Sequence, residues 1–273
     1  MRIFLIIFIR TLKDCAASAV MCYNQNKEHA ETEGKTGMKT WRYAAGTAVL
    51  LAVLAAAMLL SAGYDAGEEA LAVMEGCARQ DGAAVFAPEG EPIAGMIFYP
   101  GGLVDHAAYA PLMQALSGRG ILCLLVNMPM DLAVLNVHAA DGLAQRYPDI
   151  RRWLIGGHSL GGAMAAEYAS KHAQAFDGLV LLGAYSAADL TASGLRVLSI
   201  YGTEDGVLNR EKYENSRANY PEAFEERVIE GGNHAQFGDY GAQKGDGIAK
   251  ISGKEQTRRT ADAIAAFAAA SRQ

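Results

Sequence analysis

The chain has 273 residues, of which 51% are hydrophobic and 20% are charged, enough for one globular domain with additional apolar sequence. Its formal net charge is −6, and it has no cluster of Lys and Arg with interleaved aromatic residues, so we expect no nucleic-acid partner. The four cysteines form neither a C-x-x-C pair nor a grouping with histidine at zinc-ligand spacing. The sequence therefore predicts no metal site.

The first pattern along the chain is the apolar run AAGTAVLLAVLAAAMLLSAG at 44–63, which has no charged residue. About 20 helical residues span the hydrocarbon of a bilayer, so this run predicts a single-pass transmembrane helix. Basic residues precede the run and acidic residues follow it, which predicts that the N-terminus is cytoplasmic and the rest extracytoplasmic. The alternative is a signal peptide that is cleaved after small residues and releases a secreted protein. Tyr64 stands where a lipidated cysteine would be required, which argues against a lipoprotein.

This run divides the chain into segments of different character. We interpret residues 1–37 as lying upstream of the native start, since Met38 is followed by basic residues and then by the apolar run. The predicted organisation is a cytoplasmic segment at 1–43, the anchor at 44–64, a linker and first strand region at 65–92, and the main globular domain at 93–273.

Short apolar runs then alternate with helical patterns through the main domain. Continuous apolar strands separated by helices are typical of a parallel sheet covered on both faces, so the predicted architecture is a three-layer α/β/α sandwich without a large lid domain. The apolar run that contains Cys123 predicts a buried thiol, with a disulfide to Cys77 as the alternative. The predicted strands are 93–99, 121–127, 153–156, 178–182, 196–201 and 224–229, and the predicted helices are 107–117, 132–146, 160–172, 210–219 and 254–270.

A candidate nucleophile lies between the strand at 153–156 and the helix at 160–172. Gly157-His158-Ser159-Leu160-Gly161 matches G-x-S-x-G, in which the serine occupies a strained strand-to-helix turn. Side chains two residues before or after the serine would collide across that turn, which explains Gly157 and Gly161. The alternative is a glycine-rich turn that only packs a helix against a strand.

A serine nucleophile requires a base, and the chain offers six histidines. His234, on a glycine-rich loop between the last strand and the last helix, is the predicted general base and acid, with His106 as the alternative. His158 is predicted to point away from the chemistry. His138 and His172 fall within helical patterns and are predicted to face solvent or a helix junction.

The third member of a catalytic triad is a carboxylate that orients the imidazole. Asp205 follows the strand at 196–201 and lies between the serine and the histidine in chain order, with Asp189 and Glu204 as alternatives. The oxyanion of the reacting carbonyl needs preorganised N–H donors. The candidates are Leu160, at the start of the helix, and Gly102, with Leu103 as the alternative to Gly102.

The segments FYPGG, GGHSLGGAMAA, GLVLL, LSIYGTEDGV and EGGNHAQFGDYG resemble the α/β-hydrolase fold superfamily over residues 94–270. More narrowly, they resemble small membrane-anchored bacterial α/β hydrolases that are distantly similar to dienelactone hydrolases. The resemblance implies a triad of Ser159, Asp205 and His234, and no cofactor. The sequence departs from dienelactone hydrolases because Ser159 stands where they have a cysteine, and Pro100-Gly101 replaces the His-Gly of many oxyanion loops.

These features predict a serine esterase that acts on a small-molecule acyl substrate outside the cytoplasmic membrane. Thioesterase or acyltransferase activity on the same triad is the alternative within enzymes, and an inactive hydrolase-fold binding module is the alternative outside them. The segment AQFGDYGAQKGDG, which follows His234, is expected to shape the histidine loop or line the pocket.

Overall fold

The structure is a computed structural model that describes residues 63–270. Its centre is an eight-stranded sheet with the order β1-β2-β4-β3-β5-β6-β7-β8. The pairs β1–β2 and β2–β4 are antiparallel, and all other neighbouring strands are parallel. The strands are β1 (Ala78–Gln80), β2 (Ala83–Phe86), β3 (Ala94–Tyr99), β4 (Ile121–Val126), β5 (Trp153–His158), β6 (Gly178–Leu182), β7 (Arg196–Gly202) and β8 (Phe224–Ile229).

Helices cover both faces of this sheet. Because successive side chains of a strand point to opposite faces, Met96 and Phe98 of β3 join one apolar cluster while Ile97 joins the other. Helices α1, α2 and α5 contribute to the first cluster and α3 to the second. The predicted mostly parallel sheet with flanking helices is confirmed. The helices are α1 (Glu68–Glu75), α2 (Ala110–Ser117), α3 (Leu160–Lys171), α4 (Arg210–Asn215) and α5 (Gly253–Ala269).

The local sequence explains how the last helix begins. The Ser252 side chain accepts a hydrogen bond from the Glu255 N–H at 3.2 Å, and Glu255 places a negative charge in the first turn. Both features stabilise a helix N-terminus, by capping an unpaired N–H and by complementing the helix dipole. The helix predicted at 254–270 is therefore present with a start one residue earlier.

The helix predicted at 132–146 is wrong. This stretch contains only two short 3-10 turns, Ala133–Leu135 and Ala144–Arg146. Gly142 has a φ of +74°, which an α-helix does not accommodate. In addition, the buried Tyr99 hydroxyl donates to the Val137 carbonyl at 2.7 Å and accepts the Ala140 N–H at 3.0 Å, so these backbone groups are held outside a helical ladder.

The structure describes the predicted region at 65–92 but not the apolar run before it. The linker and first strand region includes α1 and the strands β1 and β2, of which α1 was not predicted. Among the described residues no helix is long and apolar enough to cross a membrane, and the apolar run at 44–63 lies outside them except for Gly63.

Cys77 and Cys123 are both free thiols, so the alternative of a disulfide between them is wrong.

Candidate active site

Ser159 is the residue that joins β5 to α3 at the carboxyl edge of the sheet. Its φ of 51° and ψ of −118° are strained for a residue with a side chain. The Ser159 N–H donates to the carbonyl of Leu182, the last residue of β6, at 2.9 Å. The turn is thereby fixed to the end of the neighbouring strand.

The two glycines of the turn are required by close backbone approach. A Cβ on Gly157 would lie 2.5 Å from the backbone carbonyl oxygen of Tyr99 and 2.7 Å from the carbonyl carbon of Gly161. A Cβ on Gly161 would lie 2.2 Å from the Pro100 oxygen. Because these contacts are with backbone atoms, any side chain at either position would force the turn away from β3 and its following loop.

His234 and Asp205 form a buried pair. The Nδ1 of His234 lies 2.8 Å from Oδ2 of Asp205, and both side chains are fully inaccessible to solvent. An ionised carboxylate only accepts hydrogen bonds, so Nδ1 carries the proton and Nε2 presents its lone pair. Within residues 63–270, Nε2 has no hydrogen-bond partner. The ring is therefore held in the tautomer that a general base requires.

The environment of Asp205 keeps its carboxylate charged. Burial by itself would raise the pKa of Asp205, but hydrogen bonds from His234 and from the N–H groups of Leu208 and Val207 outweigh burial and hold the pKa below its ordinary value. The two N–H donors lie 2.8 and 2.9 Å from Oδ1. Both oxygens of the carboxylate are thus engaged, which fixes the direction in which it meets the imidazole.

The alternative carboxylates and the alternative base have other partners. Asp189 accepts from the N–H and the hydroxyl of Thr191, and Glu204 accepts from Lys250 Nζ at 2.7 Å. His106 pairs with Asp105 at 3.1 Å. The carboxylate that contacts the His234 imidazole is that of Asp205.

Gly183, which sequence reasoning missed, provides space for this pair. Its φ is +51°, and a Cβ at this position would lie 2.8 Å from Nδ1 of His234 and 3.1 Å from Oδ2 of Asp205. Because Gly183 directly follows Leu182, the carbonyl partner of the Ser159 N–H, the buried pair packs beside the serine turn. The sequence signal was a glycine immediately after a buried strand.

Gly102 and Leu160 are neighbours beside the serine. A Cβ on Gly102 would lie 2.8 Å from Cδ2 and 3.3 Å from Cβ of Leu160. The N–H of Leu103, the alternative donor, is already bound to the Asp131 carbonyl at 2.8 Å. In the part of the chain that the structure describes, the Gly102 and Leu160 N–H groups have no such acceptor. Of the two loop candidates, Gly102 therefore has the N–H suited to bind an oxyanion.

The expectation that His158 points away from the site is wrong. Its ring is buried, with its centroid 4.4 Å from that of the His234 ring. Nδ1 of His158 lies 2.8 Å from the Tyr109 hydroxyl, which in turn accepts the Gly101 N–H at 2.9 Å. Tyr109 is fully buried. His158 therefore contacts the His234 ring on one side and, through the Tyr109 hydroxyl, the loop that carries Gly101 and Gly102 on the other. No local pattern could reveal a contact that depends on the tertiary fold.

The segment after His234 holds the histidine loop through Asp246. The Asp246 carboxylate accepts from the His234 N–H at 3.2 Å, from the Ala235 N–H at 2.8 Å and from the Gly206 N–H at 3.1 Å. One side chain thus ties the loop that carries His234 to the residue after Asp205. This agrees with the expectation that the segment shapes the loop.

Asp246→Ala is expected to lower kcat/KM for the predicted ester hydrolysis about 10–100-fold. Loss of the Asp246 hydrogen bonds would displace His234, and a displacement of about 1 Å in a reacting group has an effect of this order. Asp239→Ala is a control from the same segment, since the Asp239 side chain accepts the Ala70 N–H in the first turn of α1 instead of holding the histidine loop. We expect Asp239→Ala to lower the thermal midpoint while leaving kcat/KM close to wild type. Equal losses of activity in the two variants would contradict a specific role of Asp246.

Comparison with known proteins identifies the family. The model of the Alpha/beta hydrolase family matches residues 95–258, more than half of the chain, and the protein belongs to this family. No significant match to a curated protein was found.

Solved structures share the fold at low identity. TT1662 from Thermus thermophilus superposes with a TM-score of 0.53 at 15% identity, covering 71% of this chain and 98% of that one. The esterase domain of a Rhodothermus marinus protein superposes with a TM-score of 0.52 at 14% identity, covering 68% of this chain and 91% of that domain. Est1E from Butyrivibrio proteoclasticus superposes with a TM-score of 0.51 at 14% identity, covering 67% of this chain and 92% of its own. At these identities the likeness shows a shared fold.

Proposed function

We propose that this protein is a serine esterase that cleaves a carboxylic ester through a triad of Ser159, His234 and Asp205. The observation that carries the proposal is the fully buried His234–Asp205 pair, held at 2.8 Å beside the strained serine turn. A buried histidine that is hydrogen-bonded to a carboxylate, next to a serine in a strained strand-to-helix turn, is the arrangement that activates a hydroxyl nucleophile.

In the proposed reaction, Nε2 of His234 takes the proton of the Ser159 hydroxyl as its oxygen attacks the ester carbonyl carbon. The negative charge on the former carbonyl oxygen is stabilised by the N–H groups of Leu160 and Gly102. Collapse of the tetrahedral intermediate breaks the bond to the alcohol, which receives the proton from His234. His234 then takes a proton from a water molecule that attacks the acyl carbon, and returns it to the Ser159 oxygen as the bond between that oxygen and the acyl group breaks and the acid is released. Asp205 orients the imidazole and stabilises its protonated form.

The family and the esterases among the structural neighbours support an ester as the substrate class. Thioester cleavage and acyl transfer to an alcohol would use the same atoms with a different leaving group or acceptor. We also retain the proposed distant relationship to dienelactone hydrolases, with a serine in place of their cysteine.

Hydrolysis of p-nitrophenyl esters of increasing acyl length by the full-length protein tests the proposal. Ser159→Ala is expected to abolish turnover, while Ser170→Ala is expected to retain it, because the Ser170 hydroxyl donates to the Glu167 carbonyl within α3. A fully active Ser159→Ala variant would refute the proposed nucleophile. A folded wild-type protein without activity on any of these esters would favour the inactive binding module.

We further propose that the apolar run at 44–63 anchors the protein, with the hydrolase domain on the extracytoplasmic side. The run has no charged residue over about 20 positions, and the basic residues precede it. Retention of the chain in membranes after alkaline carbonate extraction is expected. Release of a protein that has lost its first residues up to about position 63 would support the cleaved signal peptide instead.

A further inference from the structure

Three side chains from separate parts of the sequence meet at the surface, at the far end of α3 from the serine. His138 and Asp141 belong to the irregular stretch that replaces the predicted helix at 132–146, and His172 follows the last residue of α3. Each offers one ligand atom, and these atoms all lie within 4.8 Å of one another. Nδ1 of His138 lies 3.4 Å from Oδ2 of Asp141.

Tyr168 orients two of these side chains. Nδ1 of His172 lies 2.9 Å from the Tyr168 carbonyl, which can only accept, so Nδ1 is the protonated nitrogen and Nε2 presents its lone pair. The two rings stack with centroids 4.1 Å apart. The Tyr168 hydroxyl donates to Oδ1 of Asp141 at 2.6 Å, which leaves Oδ2 toward His138. A second hydrogen bond to each ligand is what fixes imidazoles and carboxylates at metal sites.

The loop that carries His138 is also fixed. The hydroxyl of the fully buried Tyr99 bonds to the backbone on either side of His138, at the Val137 carbonyl and the Ala140 N–H. The Asp141 N–H donates to the His138 carbonyl at 3.0 Å, so the two ligands share one tight turn. Little backbone ordering would therefore accompany ligand binding.

We propose that His138, Asp141 and His172 bind a divalent transition-metal ion, with zinc as the best match. Two imidazoles and one carboxylate are common zinc ligands, and ligands of a tetrahedral zinc ion lie about 3.3 Å apart, given zinc–nitrogen distances of about 2.0 Å. The ligand atoms must move from at most 4.8 Å apart to about 3.3 Å apart. The side chains of His138 and Asp141 are 64% and 60% exposed, so they are free to make the small rotations that this requires. The fourth position is open to water.

In this proposal the bound ion stabilises the fold and takes no part in the proposed hydrolysis, because it lies at the far end of α3 from Ser159. Helix α3 has 12 residues, so its length separates Ser159 from His172 by about 18 Å. A bound ion would join α3 to the 136–143 stretch and stabilise both. The absence of Cys and His at zinc-ligand spacing predicted no metal site, and the proposal departs from that expectation because the fold brings together residues distant in sequence.

Isothermal titration of the full-length, tag-free protein with zinc chloride is the test. The wild type is expected to bind one more equivalent of zinc than His138→Gln and His172→Gln, or to bind it at least about tenfold more tightly. Asp141→Asn is expected to behave as the histidine variants do. Glu167→Gln is the matched carboxylate control, because Glu167 pairs with Lys171 on α3 outside the cluster, and it is expected to bind as the wild type does.

Two further readouts separate this site from other zinc-binding groups of the chain. Cobalt(II) is expected to give visible absorption bands of a four-coordinate nitrogen and oxygen site in the wild type and in Glu167→Gln, and not in Asp141→Asn. Zinc is expected to raise the thermal midpoint of the same two proteins only. Identical zinc titrations for all variants, or a wild type with no saturable binding, would overturn the proposal.

Discussion

Replacement of His234 by alanine is expected to lower kcat/KM for ester hydrolysis about 10⁶-fold, equivalent to about 8 kcal/mol of transition-state stabilisation. The proposed mechanism uses this imidazole four times: to accept the Ser159 proton, to protonate the leaving alcohol, to activate water and to return the proton to Ser159. The ring is fully buried against Asp205, so no bulk water replaces it as an ordered base. Steady-state kinetics on the best p-nitrophenyl ester, with active-site concentration measured by titration, would give the ratio.

Two further variants separate loss of the base from loss of the fold. His234→Gln keeps most of the buried volume, and we expect it to retain the wild-type circular dichroism spectrum while remaining as inactive as His234→Ala. His106→Ala removes the alternative histidine, which pairs with Asp105, and is expected to leave kcat/KM close to wild type. If His106→Ala is inactive and His234→Gln is active, the assignment of the base is wrong.

Replacement of Asp205 by asparagine is expected to lower kcat about 10⁴-fold, or about 5 kcal/mol, with little change in KM. The pKa of Asp205 lies below its ordinary value, so the native group is an acceptor for the Nδ1 proton at neutral pH. An asparagine amide can donate to Nδ1 instead, which would stabilise the tautomer protonated at Nε2. Such a ring cannot accept the serine proton, although the binding site would be intact.

The other two carboxylates provide controls for this variant. Asp189→Asn and Glu204→Gln are expected to keep near-wild-type kcat, because their side chains bind Thr191 and Lys250. A loss of kcat in Asp189→Asn as large as that in Asp205→Asn would show that the orienting carboxylate had been misassigned.

The contact between Asp205 and His234 followed from chain order together with a general property of parallel sheets. Both residues were placed on loops after strands, and the carboxyl ends of parallel strands meet at one edge. The structure places the two side chains 2.8 Å apart there. The glycines around Ser159 were equally accessible to sequence reasoning, because the crowding that they relieve lies within one short turn and the loop beside it.

Contacts that depend on the whole fold were missed. His158 was predicted to point away because its position in the motif carries no chemical requirement, yet Tyr109 and the His234 ring enclose it. The helix at 132–146 was predicted from apolar spacing, and the positive φ of Gly142 and the bonds to the Tyr99 hydroxyl override that spacing. Asp246 lies in a segment without apolar periodicity, so its hydrogen bonds could not be read from a local pattern.

The central claim is that Ser159 is an activated nucleophile, and covalent labelling tests it most directly. The full-length protein would be treated with a fluorophosphonate probe, digested, and the modified peptide identified by mass spectrometry. We expect one label on Ser159, lost in Ser159→Ala, strongly reduced in His234→Gln and retained in Ser170→Ala. A folded wild-type protein that takes up no label, or takes it up at another residue, would contradict the proposed serine esterase.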